Sequence, residues 1–504
     1  MKILKYTITL IFLCQTLHAQ NAGKHELNSN NEKLIYFNSI LDTLRKASNN
    51  PGLAVSIIYG NELVLMNGFG FRNLNEKLPV TTQTIFQLGS LAKAMTGFIA
   101  AQLVDKELIK WNDPVVNYIP EFKMIDDYHT RNATIKDLMT HHTGLAQHYY
   151  LMYGPKFERN EILNLLPHLG LDATLREKYL YNNFTFTIGG ILEERVTGET
   201  WERLVQDRIF TPLQMKNSYN QYLDIPKENE VALSYSRDGV RIIPEIHSET
   251  AGDTYGPAGG LYANIEDITK WTRMLIHKGI NNNNTLLSSK QFSYITDPLV
   301  VRYPSENRFY GIGWDITTSK EYHTISHNGV TAGQKARILF IPELGFGVTV
   351  LCNQFSDIPS ALTAYAEDIF VYGKKVAFDE AVNYFKKQSS DEKNKEPLKE
   401  YTISGSDIAF SLTDYCGQYK HPAYGNITIS LKKNNQLVFS YYDFIGVIEH
   451  VKLTEFIAHT NHPTGKDDFS INFHVDKKKV TSFKIKFPAA PEMVFEKVAI
   501  AKNK

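Results

Sequence analysis

The chain has 504 residues, 43% of them hydrophobic and 21% charged, with 54 Lys+Arg against 54 Asp+Glu. That length suffices for two or three domains with their own cores, and the balanced charge removes the basic footprint needed for nucleic acid or an anionic membrane. Three cysteines exclude a disulfide scaffold and a thiolate-rich zinc or iron–sulfur centre, so any chemistry rests on oxygen and nitrogen side chains.

Residues 1–19 read as a cleavable secretory leader. Lys2 and Lys5 precede an apolar run from Ile8 to Cys14, and Leu17-His18-Ala19 ends on a small residue before Gln20. This predicts export across an inner membrane, to the periplasm, with no transmembrane anchor, because the run is too short to span a bilayer. Lipidation of Cys14 is the rival, opposed by bulky Phe12 and Leu13 in the preceding positions. Cys352 and Cys416 remain, expected as free thiols in strands.

After a polar segment, 20–31, Leu34, Phe37, Ile40, Leu41 and Leu44 recur at helical spacing up to the Asn49-Asn50-Pro51-Gly52 break. Leu53 to Ile58 and Leu63 to Phe69 are strand-length runs around Gly60-Asn61, a hairpin signal, and Ala336 to Ile341 with Gly347 to Leu351 repeat the pattern. Strands at both ends with helical material between predict an α/β (α+β) domain over 32–380: one antiparallel sheet built from both termini, flanked by helices, plus an all-helical region. From Lys386 to Glu400 nine of fifteen residues are charged and none is aromatic, which is linker composition and places a linker over 381–403. Short β-rich runs follow at Ile427–Leu431, Leu437–Tyr441, Ile445–Val451, Phe469–Val475, Ser482–Phe487 and Met493–Val498, predicting a small antiparallel β-barrel over 404–502. Gly68 and Gly70 lie in a hairpin strand, which disfavours a dinucleotide site.

The sharpest chemical signal is Gln87-Leu88-Gly89-Ser90-Leu91-Ala92-Lys93, ahead of the helical run from Ala94 to Val104. Ser90 and Lys93 fall about one turn apart on one helix face, and the helix N-terminus favours negative charge developing at the serine oxygen. A serine nucleophile needs an adjacent base, and lysine serves only when its pKa is depressed. Moving a lysine from about 10.4 to near 7 costs roughly 4–5 kcal/mol, so this one should be enclosed. The competing reading is a helix-capping serine, and Ser-x-x-Lys also occurs at Ser390/Lys393 and Ser430/Lys433, taken as coincidences. Two further features stand beside it. Tyr181 and Asn183 lie in a loop entering an apolar helix, where a tyrosine near a cationic lysine can act as acid and base. His327-Asn328-Gly329-Val330 precedes a strand, and a small residue there lets a substrate lie along the strand with a backbone N–H aimed at its carbonyl. His141, His142 and His148 hint at a metal, but adjacent loop histidines rarely converge on one ion, and no metal or cofactor is expected. Asp113 and Asp137 read as turn and helix-start residues.

In this order the three features resemble the serine β-lactamase and penicillin-binding-protein superfamily, specifically the class C β-lactamase-related serine hydrolases. The resemblance spans about Leu34 to Phe378 and extends to Trp111-Asn112-Asp113-Pro114-Val115, Tyr118-Ile119-Pro120, Leu138-Met139-Thr140-His141-His142-Thr143-Gly144-Leu145, Pro257-Ala258-Gly259-Gly260-Leu261 and Tyr310-Gly311-Ile312-Gly313-Trp314. The tail resembles the small lipocalin-like barrel appended to many of these hydrolases, either a lid or a tether, with Tyr441, Tyr442 and Phe444 facing a cleft or filling a core. The resemblance implies Ser90 as acylated nucleophile, Lys93 as its proton acceptor and Tyr181 as general acid/base. It implies Asn183, His327 and Gly329 as substrate-orienting residues, and the backbone N–H groups of Ser90 and Val330 as oxyanion hole. Where β-lactamases carry Lys-Thr-Gly this chain has His327-Asn328-Gly329, and a histidine is mostly neutral at pH 7. That shifts the expected substrate from β-lactams toward other small-molecule or peptide amides and esters. A penicillin-binding sensor that no longer deacylates is the alternative. Oligomeric state is left open by the sequence.

Overall fold

The computed structural model describes residues 27, 29–236, 254–318, 321–393, 407–462 and 465–498. The leader with Cys14, most of the loop between Glu245 and Tyr255 and the later part of the linker lie outside the described residues. Two compact units are present. The first holds the chain through Ile109, then Glu199 onward and Gly256 onward to the helix over Asp379–Lys393. The second holds Lys110–Gly198, Thr254 and Tyr255, and the chain beyond that helix.

The first unit is organised by an antiparallel sheet of nine strands: β1 (Gly52–Tyr59), β2 (Glu62–Asn73), β3 (Leu78–Pro79), β4 (Val300–Tyr303), β5 (Arg308–Tyr310), β6 (Asp315–Thr317), β7 (Thr324–Thr331), β8 (Gln334–Ile341) and β9 (Phe346–Cys352). Their order is β3-β2-β1-β9-β8-β7-β6-β5-β4, so strands from the two ends of the domain meet at the β1–β9 pair, with Val55 opposite Val350. Both central strands are almost continuously apolar and buried, as expected of strands covered on both faces. Alternation sorts their side chains. Leu53, Val55, Ile57, Val348 and Val350 share a core with Phe37, Ile40, Leu41 and Leu44 of helix α1 (Asn30–Ala47), a helix opened by a Ser29/Glu32 capping box. Ser56 and Thr349 point the other way and bond Thr269 and Thr272 of a helix over Ile265–Ile276, at 2.7 and 3.0 Å. Beneath the sheet, helix α2 (Ala92–Asp105) is buried on every side from Ala92 to Leu103.

In the second unit the leading element is helix α3 (Asn183–Thr197), capped by Asn182. Nearby, Thr134 and Asp137 form a capping box and Asp137 pairs with Arg176 at 2.7 Å. Asp113 accepts from Lys110 N–H and the Tyr118 hydroxyl. Both aspartates therefore hold turns, as read from the sequence. The C-terminal part is a closed antiparallel barrel: β10 (Gly417–His421), β11 (Gly425–Leu431), β12 (Leu437–Tyr441), β13 (Phe444–Lys452), β14 (Glu455–His462), β15 (Gly465–Asp476), β16 (Lys479–Lys486) and β17 (Glu492–Lys497), closing where Tyr419 meets Lys497. Its interior is filled by side chains. Tyr415, Tyr419, Phe456, Phe473, Phe483 and Phe495 form a chain of ring contacts, and each is buried.

Three expectations are corrected. Asp379–Lys393 is helix where 381–403 was read as linker, because Ala381 and Phe385 supply an apolar stripe that joins the α1 core within the charged composition. Cys416 closes a short helical turn, its Sγ toward the Leu412 carbonyl, and is not in a strand; Cys352 ends β9, and both are free. Strands β10 and β14 are additional to the six read from the sequence, since Gln418, Lys420, His459 and Asn461 interrupt their apolar character. By compactness alone, residues 110–198 group with the barrel. Among the described residues no helix is long and apolar enough to cross a membrane.

Candidate active site

In the first unit the chain enters α2 through a tight turn over Gly89–Leu91. The N-cap positions of turn and helix are Leu88 and Leu91, neither with a side-chain cap. Ser90 is therefore not a capping serine. Its Oγ lies 3.1 Å from Lys93 Nζ, and Lys93 also donates to the Ala258 carbonyl at 2.7 Å. Lys93 is fully buried, and burial pushes its ammonium well below the usual lysine range. A lysine in that state can accept a proton from the neighbouring hydroxyl. The carbonyl that holds it belongs to Pro257-Ala258-Gly259, a segment fixed to α2 a second time by Thr96, whose hydroxyl donates to Pro257 at 2.7 Å and receives the Trp201 indole N–H at 3.1 Å.

Strand β7 lies directly on this turn. A Cβ on Gly329 would stand 1.8 Å from the Leu88 carbonyl oxygen, and one on Gly89, at φ +53°, would stand 2.7 Å from Val330 N. Only glycine at both places allows this approach. Val330, 48% exposed, lies with its backbone against Gly89, the residue before Ser90.

His327, two residues upstream on β7, is enclosed. Its Nδ1 is 2.8 Å from the Asn328 carbonyl and its Nε2 is 3.0 Å from the Tyr310 hydroxyl. A carbonyl only accepts, so the network assigns the proton to Nδ1 and lets Tyr310 donate to Nε2. Burial brings the imidazole down to about 4, with the Asp315 carboxylate opposing and the Arg302 charge adding. Asp315 is itself held below the usual carboxylate range: burial works against this, but Arg302, which bonds it directly, and Arg308 at 3.9 Å prevail. Asn328 is engaged by Arg337 at 2.6 Å. At neutral pH the His327 position thus carries no cation. Tyr310, Asp315 and Arg302 were not singled out from the sequence. Only Tyr310 had a signal, the Tyr310-Gly311-Ile312-Gly313-Trp314 phrase; Asp315 and Arg302 had none, because the contacts that join them to His327 are made across strands.

In the second unit Tyr181 and Asn183 flank the N-cap of α3. His141, buried with φ +60°, accepts the Asn182 N–H on Nδ1 at 3.0 Å, and its ring lies against Tyr181, Phe186 and Tyr179 at centroid distances of 4.4, 5.0 and 5.4 Å. This histidine is a brace for the tyrosine loop. Asn183 Nδ2 lies 2.9 Å from Met152 Sδ. His148 has its two ring nitrogens 2.9 Å from the Tyr424 hydroxyl and 2.9 Å from the Gly170 carbonyl, so His141 and His148 hold protein groups. Tyr441 and Phe444 are buried in the barrel, whereas Tyr442 is 43% exposed.

Comparison with known proteins adds the following. The family model described as beta-lactamase matches residues 37–371, and a domain of unknown function, DUF3471, matches 405–502. The chain is 26% identical to "Unguisins hydrolase ungD'" of Aspergillus campestris over 420 residues, covering 77% of this chain and 76% of that protein. It is 25% identical to "Penicillin-binding protein 4" of Amycolatopsis lactamdurans over 339 residues, covering 65% and 86% respectively. Among solved structures, the octameric penicillin-binding protein homologue from Pyrococcus abyssi aligns with a TM-score of 0.61 at 20% identity, over 92% of this chain and 99% of that one; at that identity the likeness is one of fold.

Proposed function

Since the chain belongs to the beta-lactamase family of serine hydrolases, we propose that it cleaves an amide or ester bond through an acyl-enzyme on Ser90. The observation that carries this reading is the buried Lys93 with its Nζ on Ser90 Oγ. Lys93, neutral, takes the hydroxyl proton as Oγ bonds to the substrate carbonyl carbon. The N–H groups of Ser90 and Val330 receive the resulting oxyanion, an arrangement whose loss of one donor typically costs 10²–10³-fold in rate, that is ~3–4 kcal/mol. Tyr181 then protonates the departing nitrogen or oxygen as the carbonyl reforms; later it takes a proton from the water that opens the acyl-enzyme, and Lys93 returns its proton to Ser90 Oγ as that bond breaks. Asn183 orients the substrate's own amide. The neutral His327 offers no charge to a substrate carboxylate, which favours uncharged peptide or ester substrates over β-lactams. Relatives named hydrolase and penicillin-binding protein are compatible with acyl transfer to a serine.

Intact mass after exposure to a fluorophosphonate, with Ser90→Ala and Lys93→Ala in parallel, tests this. One adduct on the parent and none on Ser90→Ala supports the assignment; no adduct on a folded parent refutes it. The relative named a penicillin-binding protein favours a second reading, a sensor that acylates once. A stoichiometric burst of p-nitrophenol from p-nitrophenyl acetate without turnover would select it. The export reading rests on the first nineteen residues, and a mature N-terminus at Gln20 is its expected signature.

A further inference from the structure

Rings from a turn elsewhere in the chain pack against barrel aromatics, Tyr150 with the most contacts among them. Tyr150, in the helical turn over Tyr149–Tyr153, is buried against three barrel rings: Phe444 at 5.2 Å, Phe469 at 5.3 Å, and Phe487 in a stacked contact at 5.2 Å. Its hydroxyl meets the Asp467 carboxyl. The same turn is pinned along its backbone. The Tyr441 hydroxyl donates to the Tyr150 carbonyl at 3.4 Å, and His148 N–H donates to the Ala489 carbonyl at 3.2 Å. His148, at φ +46°, keeps this left-handed conformation with both ring nitrogens engaged, one of them by barrel Tyr424. At the far end, a Cβ on Gly154 would meet the Tyr441 hydroxyl at 2.3 Å. Between the pinned ends stands Met152, whose sulfur takes the Asn183 amide at 2.9 Å.

We propose that Tyr150 is a positioning residue and the C-terminal barrel its socket: docked there, the 148–154 turn presents Met152 to Asn183 and so sets the amide group that orients substrate. The inference rests on the role proposed above for Asn183 and adds to it what the appended domain does. The barrel acts on the reaction through one anchored turn. Three ring contacts on this single side chain hold the short helical turn, whose ends are tied by Leu151 N–H to the His148 carbonyl and Gly154 N–H to the Leu151 carbonyl.

The test uses full-length Tyr150→Ala, Tyr150→Phe and Met152→Leu, with fluorophosphonate labelling, hydrolysis of D-alanyl p-nitroanilide and of p-nitrophenyl acetate, and amide hydrogen exchange. In Tyr150→Ala the Leu151 and Gly154 amides should lose protection, and KM for the anilide, which offers an amide for Asn183 to orient, should rise tenfold or more. Labelling of Ser90 and hydrolysis of the acetate, which has no such amide, should stay within threefold. Tyr150→Phe should restore the anilide KM. Met152→Leu, which leaves the barrel contacts intact, should raise the same KM and so carries the test if Tyr150→Ala does not fold. An unchanged anilide KM in both Tyr150→Ala and Met152→Leu overturns the proposal, as does an equal loss on anilide, acetate and labelling. An unlabelled parent instead overturns the hydrolase reading itself.

Discussion

The closeness of β7 to the Ser90 turn makes Gly329→Ala the most informative single change. The added Cβ would lie 1.8 Å from the Leu88 carbonyl oxygen, a backbone atom that cannot swing aside, whereas real Cβ contacts essentially never fall below 3.0 Å. Strand and turn must therefore separate by about 1.2 Å, and this displaces Val330 N–H, one residue further along β7, relative to Ser90. A misplacement of about 1 Å in a reacting constellation can cost about 10²-fold, and overpacking of this kind costs typically 1–3 kcal/mol of stability. The second-order rate of fluorophosphonate capture, followed by intact mass, should fall about a hundredfold in Gly329→Ala. Its near-UV circular dichroism should remain native, with a Tm only a few degrees lower. Capture within threefold of the parent by the folded variant would refute the claim that this contact sets the oxyanion donor.

His327 should titrate near 4 by NMR, against about 6.5 for an ordinary histidine. Its folded value lies below its unfolded one, so the native state binds fewer protons between those values. The stabilisation is full above about 6.5 and is lost as pH falls toward 4, to the extent of about 3 kcal/mol. His327→Asn should flatten the stability–pH curve in that window, and a ring titrating near 6.5 would contradict the enclosed geometry. Asp315→Asn leaves Arg302 and Arg308 without their buried carboxylate, and the expected loss in a urea melt is about 3–5 kcal/mol; a loss below about 1 kcal/mol would show that the pair is solvated. The Cys352 thiol, buried and raised to about 11 by that burial, should react with Ellman's reagent only on unfolding, and rapid reaction in the native protein would count against its burial.

Much of this protein was legible in one dimension because the relevant physics is local. Apolar periodicity marked α1 and the β1–β2 hairpin, and Ser90 and Lys93 were identifiable because one helical turn fixes their separation. Ser90/Lys93, Tyr181/Asn183 and His327/Gly329, in that order and with their supporting phrases, were enough to suggest the family that the comparison then bore out. Six of the eight barrel strands were visible as apolar runs; β10 and β14 were not, since closure of a barrel recruits strands whose outward positions are polar.

What only the tertiary structure decided depends on contacts between residues far apart in the chain. The enclosure of Lys93 comes from the Ala258 carbonyl, 165 positions away. The neutrality of His327 follows from burial beside Tyr310 on a neighbouring element, with Asp315 and its arginines on β4 to β6 setting the surrounding charge. The helix over Asp379–Lys393 forms despite its charged composition because Ala381 and Phe385 find the α1 core. His141 and His148, a metal hint in the sequence, became a brace for the tyrosine loop and a clamp on the barrel. Sequence fixes which groups exist and their spacing along one element; burial, partner and protonation state are properties of the folded environment, and these decide what the groups can do.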